Sequence, residues 1–371
     1  MREELRPWLE ANLTAEVVGA GSHMTDGSNL DVLRRWNREL ALARWAAVSW
    51  PSAYGGRDAS VVEQLAFLEE MARWEAPGPL NVIGLSNIAP AIMAFGTEEQ
   101  RHRFLRPMLW GDEIWCQGMS EPDAGSDLAS LRTLARIDGD SFVVNGQKTW
   151  NSLGHHADWC QLYVRTDATV PQHRGISCLL VDMSSAGIMS SPIRTMDGAT
   201  SFAELFFDDV RVPASALLGQ LHGGWQVAMN TLSHERAGVA RLHLMLTNKL
   251  RHLLGDAAGL ESLAQPVIRH QIASLYSRIA CMRWLSERFL VAPTPSPVAG
   301  SLAKLAWARA EQELSLLAGG LLGPSTQLGG PWATQATSAP STSIAGGTTE
   351  INLNIVAEIG LGLPKEPRSH G

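Results

Sequence analysis

The sequence predicts an α+β protein whose helices and strands occupy separate stretches of the chain. The expected division is an N-terminal helical domain over residues 1–114, a middle antiparallel β-barrel or sandwich over 115–216, and a C-terminal helical domain over 217–371. Three observations carry this reading. Helical patterning with polar breaks runs to about residue 112, and short β-branched and aromatic runs set apart by turn residues fill about 115–215. Helix-forming sequence then resumes after His222-Gly223-Gly224.

In the first part, residues 61–71 are helix-forming throughout and Ser60 stands in the N-cap position. Gly96-Thr97-Glu98-Glu99-Gln100 opens a further helix, with Thr97 capping and Gln100 placed to complete a capping box. Trp50 to Gly56 is a turn-rich connector. In the middle part, residues 142–144, 159–164, 176–181 and 204–207 have strand composition, and Asp138-Gly139-Asp140, Asn145-Gly146 and Asp197-Gly198 separate them. Asn145-Gly146 predicts a hairpin, with Ser141 to Val144 leading in and Lys148-Thr149-Trp150 returning. The last part reads as helix to about residue 322, with breaks at 293–297 and 323–340. No repeat of solenoid period is present.

Composition narrows the function. With 371 residues and 45% apolar content the chain can bury a large core. A net charge of −7 without a basic run argues against a nucleic-acid partner. The start lacks the apolar stretch of a signal peptide, and no run approaches the roughly 20 residues of a membrane span. Cys116, Cys160, Cys178 and Cys281 are scattered, as expected for reduced thiols in a cytoplasmic protein.

Two stretches carry chemistry. Trp115 to Asp127, WCQGMSEPDAGSD, has few aliphatic anchors and many Ser, Gly, Pro and Asp residues. That composition suits a sheet edge offering backbone N–H groups and hydroxyls to a ligand. In Gly146-Gln147-Lys148-Thr149-Trp150-Asn151-Ser152, an indole followed closely by a hydroxyl can cover one face of a flat ring and hydrogen-bond its edge.

With these residues in view, the sequence resembles the acyl-CoA dehydrogenase family. Ser120-Glu121-Pro122-Asp123-Ala124-Gly125-Ser126-Asp127 is similar to the family's first signature, and Gly146, Lys148, Trp150 and Ser152 to its second. Phe207 to Pro213 resembles the exit from the middle domain, and Gly347-Thr348-Thr349-Glu350-Ile351 the C-terminal turn. The resemblance implies helices, barrel and C-terminal helical bundle in that order. It also implies FAD as cofactor, α,β-dehydrogenation of an acyl-CoA thioester, and an electron-transferring flavoprotein as electron acceptor.

It further implies a flavin site built from Gln117, Met119, Ser120, Gly125, Ser126, Trp150, Asn151 and Ser152, with Thr348 and Glu350 toward the adenosine end. Ser126 also falls near the thioester, and Arg236 toward the CoA entrance. The family's usual base, a Glu just before the C-terminal turn, is replaced here by Gly346. Glycine cannot accept a proton, though its backbone N–H can still bind the thioester oxygen. The family's second base position lies in an L-x-x-E-R pattern, met by Leu232-Ser233-His234-Glu235-Arg236. Periodicity supports a base there independently. Trp225, Ala228, Leu232, Val239, Leu242 and Leu246 form an apolar stripe at spacings of three and four, with Glu235 inside it. Burial would raise such a carboxyl toward the range useful for a base. A structural Glu paired with Arg236 or a neighbouring helix fits the same pattern.

Segments that in many relatives cross a subunit interface to the flavin are altered. Residues 259–266 lack the expected Arg and Phe, and only Leu317-Ala318-Gly319-Gly320 remains of a Q-x-x-G-G element. The resemblance therefore allows a homo-oligomer (dimer or tetramer) or a heterotetramer with an unlike homologous subunit. Other readings on the same fold are an acyl-carrier-protein thioester dehydrogenase, a flavin-dependent oxygen-using enzyme, and a flavin-poor structural subunit. His155-His156-Ala157-Asp158 has ligand-type residues, but adjacent histidines diverge on an extended chain and no metal is expected.

Overall fold

The computed structural model describes residues 1–21, 27–237, 242–290 and 296–365, with backbone alone at 233–237 and 290. It divides into two compact units, Met1–Glu235 and Arg236–Gly371. The architecture is N-terminal helices, a curled middle sheet forming a half-barrel, and a C-terminal helical bundle.

The first unit opens with helices α1 (Arg2–Asn12), α2 (Ala15–Gly21), α3 (Leu30–Leu42), α4 (Val61–Arg73), α5 (Ala89–Phe95) and α6 (Glu98–Trp110). The capping residues act as predicted. Ser60 and Glu63 form a capping box at α4, and Thr97 and Gln100 form one at α6. Gln100 has a second role, because its amide donates to the carbonyls of Ser215 and Leu217 at 2.9 and 3.0 Å and ties α6 to the end of the sheet. A π-helical segment, Gly84–Ile88, precedes α5 and was not legible in the sequence.

Seven strands follow: β1 (Trp115–Gly118), β2 (Leu134–Asp138), β3 (Ser141–Ser152), β4 (Trp159–Arg165), β5 (Ile176–Asp182), β6 (Ile188–Ile193) and β7 (Phe202–Pro213). They form one sheet in the order β1-β4-β2-β3-β7-β6, with β5 paired to β4. Most pairs are antiparallel as expected, but β1 and β2 both run parallel to β4. Strands β4 and β5 are buried on both faces. Tyr163, Cys178 and Leu180 join the core shared with the N-terminal helices, whereas Cys160, Leu162, Val164, Leu179 and Val181 fill the half-barrel. The two-residue alternation of a strand divides one run of sequence between two cores.

The hairpin expected at Asn145-Gly146 does not form. Strand β3 runs straight through it and pairs with β7 on either side. The turn chemistry is spent on a bulge instead: Val144 pairs with Val210 and Gly146 with Phe207, so Asn145 opposes Asp208 and Asp209. The Asn145 amide donates to Asp209 at 2.8 Å, and its oxygen accepts from the Asp209 N–H at 3.0 Å. A side chain at Gly146 (φ 148) would meet Thr133 Cα at 2.7 Å, which explains the glycine.

Helix α7 (Gly224–Ala237) ends the first unit and crosses into the second, which continues with α8 (Leu242–Asp256), α9 (Pro266–Leu290), α10 (Ala299–Leu322), α11 (Pro331–Ser338) and α12 (Thr349–Ile355). Helix α11 lies inside the stretch read as a break, because Gly330 and Pro331 start a helix rather than ending structure there. Of the stripe predicted along α7, Ala228 is buried and Trp225 and Leu232 are half-buried, while Val239 lies outside the described residues. In the bundle, buried Glu311 accepts from Lys249 at 2.9 Å, Trp307 at 3.2 Å and Gln335 at 2.7 Å, joining α8, α10 and α11.

Candidate active site

The two signature stretches meet through one buried ion pair. Lys148 Nζ donates to Glu121 Oε1 at 2.8 Å and to the Met119 carbonyl at 3.0 Å. Glu121 also accepts from the backbone N–H of Arg132 at 2.6 Å and of Thr133 at 2.8 Å. Burial pulls Lys148 down to about 8, against the opposing charge and hydrogen bond of Glu121. Burial pushes the Glu121 carboxyl up, but Lys148 and the donors from Thr133 and Arg132 outweigh it and hold the group below its ordinary value. At neutral pH both partners are therefore charged. With this many donors Glu121 is an anchor rather than a free base.

The pair fixes what lies beside it. Thr149 N–H donates to the Ser120 carbonyl at 2.9 Å, and Asn151 Nδ2 donates to the Gln117 carbonyl at 2.6 Å. Between them β3 carries a second bulge: Lys148 pairs with Leu205 and Asn151 with Ala203, so Thr149 and Trp150 oppose Glu204 alone. Trp150 consequently adopts a left-handed backbone, φ 61, which costs a bulky residue about 1–2 kcal/mol. The indole stays 57% exposed and meets Phe202 edge-on, with ring centroids 5.9 Å apart. A large aromatic ring is thus held open by strained backbone.

The two stretches also carry uncommitted polar groups. The hydroxyls of Ser120, Ser126 and Ser152 have no partner among the described residues. Asn151 is buried, yet its Oδ1 accepts no hydrogen bond. Met119 is half-buried, and Gly125 and Ser126 are exposed on the loop beyond the Glu121–Ala124 turn. A cavity of about 270 Å³ is lined by the Glu121–Ala124 turn together with Arg132, Thr133, Gly146 and Gln147.

Glu235 and Arg236 are in the last turns of α7, but their side chains lie outside the described residues. The remaining predicted residues belong to the second unit. Gly346 has φ 66, a conformation that disfavours any L side chain, so the missing carboxylate is not simply restorable there. Thr348 caps α12 by accepting from the Ile351 N–H at 3.2 Å, and Glu350 is exposed in the first turn. Asn352 Nδ2 stitches the turn by donating to the carbonyls of Gly347 and Thr348, both at 2.9 Å.

A buried polar chain went unread in the sequence. Asn87 of the π-helical segment donates to Gln117 at 3.4 Å, Gln117 to Gln161 at 3.4 Å, and Gln161 to Thr231 at 3.5 Å; Tyr163 Oη lies 3.2 Å from Thr231 Oγ1. The available signal was in β4, where Gln161, Tyr163 and Arg165 put polar groups at alternate positions, on one face of a buried strand.

Lys148→Met should therefore destabilise the fold by about 3–5 kcal/mol at neutral pH, since it strands a buried carboxylate. In the parent, the depressed Glu121 value contributes stability that is present above the ordinary carboxylate range and lost as pH falls through the folded value. In the variant burial acts unopposed by Lys148 and raises that value, so acid relieves the variant. Urea unfolding of both proteins at pH 7.5 and pH 5 should show the gap narrowing in acid. An equal gap at both pH values would contradict the ion-pair account.

Three family models match the chain: acyl-CoA dehydrogenase, N-terminal domain, over residues 1–112; middle domain, over 116–210; and C-terminal domain, over 222–361. The chain is 37% identical to acyl-CoA dehydrogenase IpdE1 of Mycobacterium tuberculosis, covering 99% of this chain and 98% of the relative. It is 32% identical to acyl-CoA dehydrogenase FadE26 of the same organism, covering 99% and 97%. Among solved structures, the Tcur3481-Tcur3483 steroid ACAD superposes with a TM-score of 0.88 at 29% identity, covering 98% and 97%. The ChsE4-ChsE5 complex from Mycobacterium tuberculosis gives 0.85 at 30%, covering 98% of each chain. The chain belongs to the acyl-CoA dehydrogenase family of FAD-dependent flavoproteins and is an oxidoreductase acting on acyl-CoA.

Proposed function

We propose that this chain, organised as domains 1–114, 115–216 and 217–371, binds FAD and desaturates an acyl-CoA thioester between Cα and Cβ, with Glu235 as the base. The observation that carries the binding half is Trp150, held exposed by a strained bulge beside free hydroxyls. These residues fit a flat, polar-edged ring: the indole supplies a face, and Ser120, Ser152 and the unpaired Asn151 Oδ1 supply edge partners. On the family pattern we assign Gln117, Met119, Gly125 and Ser126 to flavin binding as well, and Thr348 and Glu350 to the adenosine portion. When bound, FAD supplies a two-electron acceptor for the hydride that leaves Cβ.

The base assignment is supported by exclusion. Glu121 is committed to three donors, Gly346 has no side chain, and Glu350 is an exposed residue at a helix start. Glu235, on α7, removes the α-proton, and the Gly346 N–H binds the thioester oxygen as negative charge builds there. Arg236 faces the CoA entrance. Family membership supports an electron-transferring flavoprotein as acceptor. Glu235→Gln should keep FAD bound but slow its reduction by acyl-CoA about 100- to 10,000-fold. Reduction at the parent rate would refute the assignment.

The altered segments at 259–266 and 317–320 support assembly with an unlike homologous subunit, as do similar solved structures whose names pair two chains. Expressed alone, the chain should hold well under one FAD per protomer, and co-expression with such a subunit should raise the ratio. One tightly bound FAD per chain in a homo-oligomer would exclude the hetero-oligomer.

A further inference from the structure

Helix α7 is fixed to the half-barrel sheet by a buried hydroxyl. Val227 and Ala228 pack into the core beneath the helix, and Thr231 follows at the i+4 and i+3 positions on the same face, fully buried. Its Oγ1 lies 3.2 Å from Tyr163 Oη and accepts from Gln161 Nε2 at 3.5 Å. Both partners come from β4, the strand buried on both sides, and both are themselves fully buried. Gln161 is backed in turn by Gln117 and Asn87. A valine would fill the place of Thr231 without needing any of these partners. A buried polar network in an otherwise apolar contact fixes one register and rotation of the helix, where apolar packing tolerates several.

Position 235 is one turn further on, about 6 Å along the axis and about 40° around it. We infer that Thr231 is a positioning residue for the reaction: by locking α7 to Tyr163 and Gln161 it sets the placement of the carboxylate that removes the α-proton. This rests on Glu235 being the base. A misplacement of about 1 Å is enough to cost on the order of 100-fold in rate.

The test measures proton removal directly. The FAD-loaded protein, with its partner subunit if one is required, is incubated in D2O with 3-thiaoctanoyl-CoA, whose α-protons exchange without net oxidation, and deuterium uptake is followed by mass spectrometry. Thr231→Val should slow exchange on the order of 10- to 100-fold with the thioester dissociation constant unchanged, and Thr231→Ser should restore it. Tyr163→Phe, which keeps the threonine and removes its nearer partner, should slow exchange in the same direction and decides the matter if the valine variant does not fold. Parent-rate exchange in a folded Thr231→Val protein, or a loss matched by weaker thioester binding, overturns the inference. If Glu235→Gln abolishes exchange while Thr231→Val leaves it intact, positioning alone fails. If Glu235→Gln exchanges normally, the base assignment fails and the inference with it.

Discussion

An ammonium taken out of water without a counter-charge costs several kcal/mol, and Lys148 is fully buried in the middle of β3. Glu121 offsets that cost, and in doing so it brings together two stretches 27 residues apart in sequence. Both stretches are rich in Ser, Gly and polar residues, and the first reaches the apolar cores only through Trp115, Cys116, Ala124 and the half-buried Met119. The carboxylate gathers the backbone N–H groups of Arg132 and Thr133, and the ammonium takes the Met119 carbonyl. The loop that carries Ser120 and Ser126 is therefore set against the strand that carries Trp150 and Ser152. A single polar substitution at either end would leave the other charge buried and release both surfaces.

The bulges then aim the side chains. Two interruptions in the β3–β7 ladder absorb the residues that regular pairing would have buried or turned inward. One uses Asn145 against Asp209 and keeps the strand continuous. The other puts Trp150 into the left-handed region and leaves its ring exposed. Strain of this size persists only where the surroundings determine the conformation, and here the ion pair lies two residues away. The residues that hold this part of the fold together are thus also those proposed to receive the flavin.

Much of this was legible in the sequence, for identifiable reasons. Ser60, Thr97 and Gln100 act through local hydrogen bonds within three or four residues, so their helix starts could be read directly. The runs of β4 and β5 stood out because burial on both faces makes them nearly continuous in apolar residues. The hairpin at Asn145-Gly146 failed because turn propensity is local, whereas the pairing of β3 with β7 depends on residues some 60 positions away. The Asn87–Gln117–Gln161–Thr231 chain was invisible for the same reason, being assembled from four separate elements. Lys148 was read as part of a motif, but its role as the partner of Glu121 needed the fold.

On the proposed reading, the ion pair and the bulge preset Trp150 to receive a flat ring. The most direct measurement is the affinity for FAD of Trp150→Ala against the parent, by flavin fluorescence titration of the same assembly, with thermal unfolding of the apoprotein alongside. Ring stacking on an aromatic side chain is worth about 1–3 kcal/mol, so affinity should fall roughly 5- to 150-fold. Because the indole is exposed, the apoprotein should unfold no earlier than the parent. Unchanged affinity would contradict the account, and so would a loss of binding that merely follows a loss of fold.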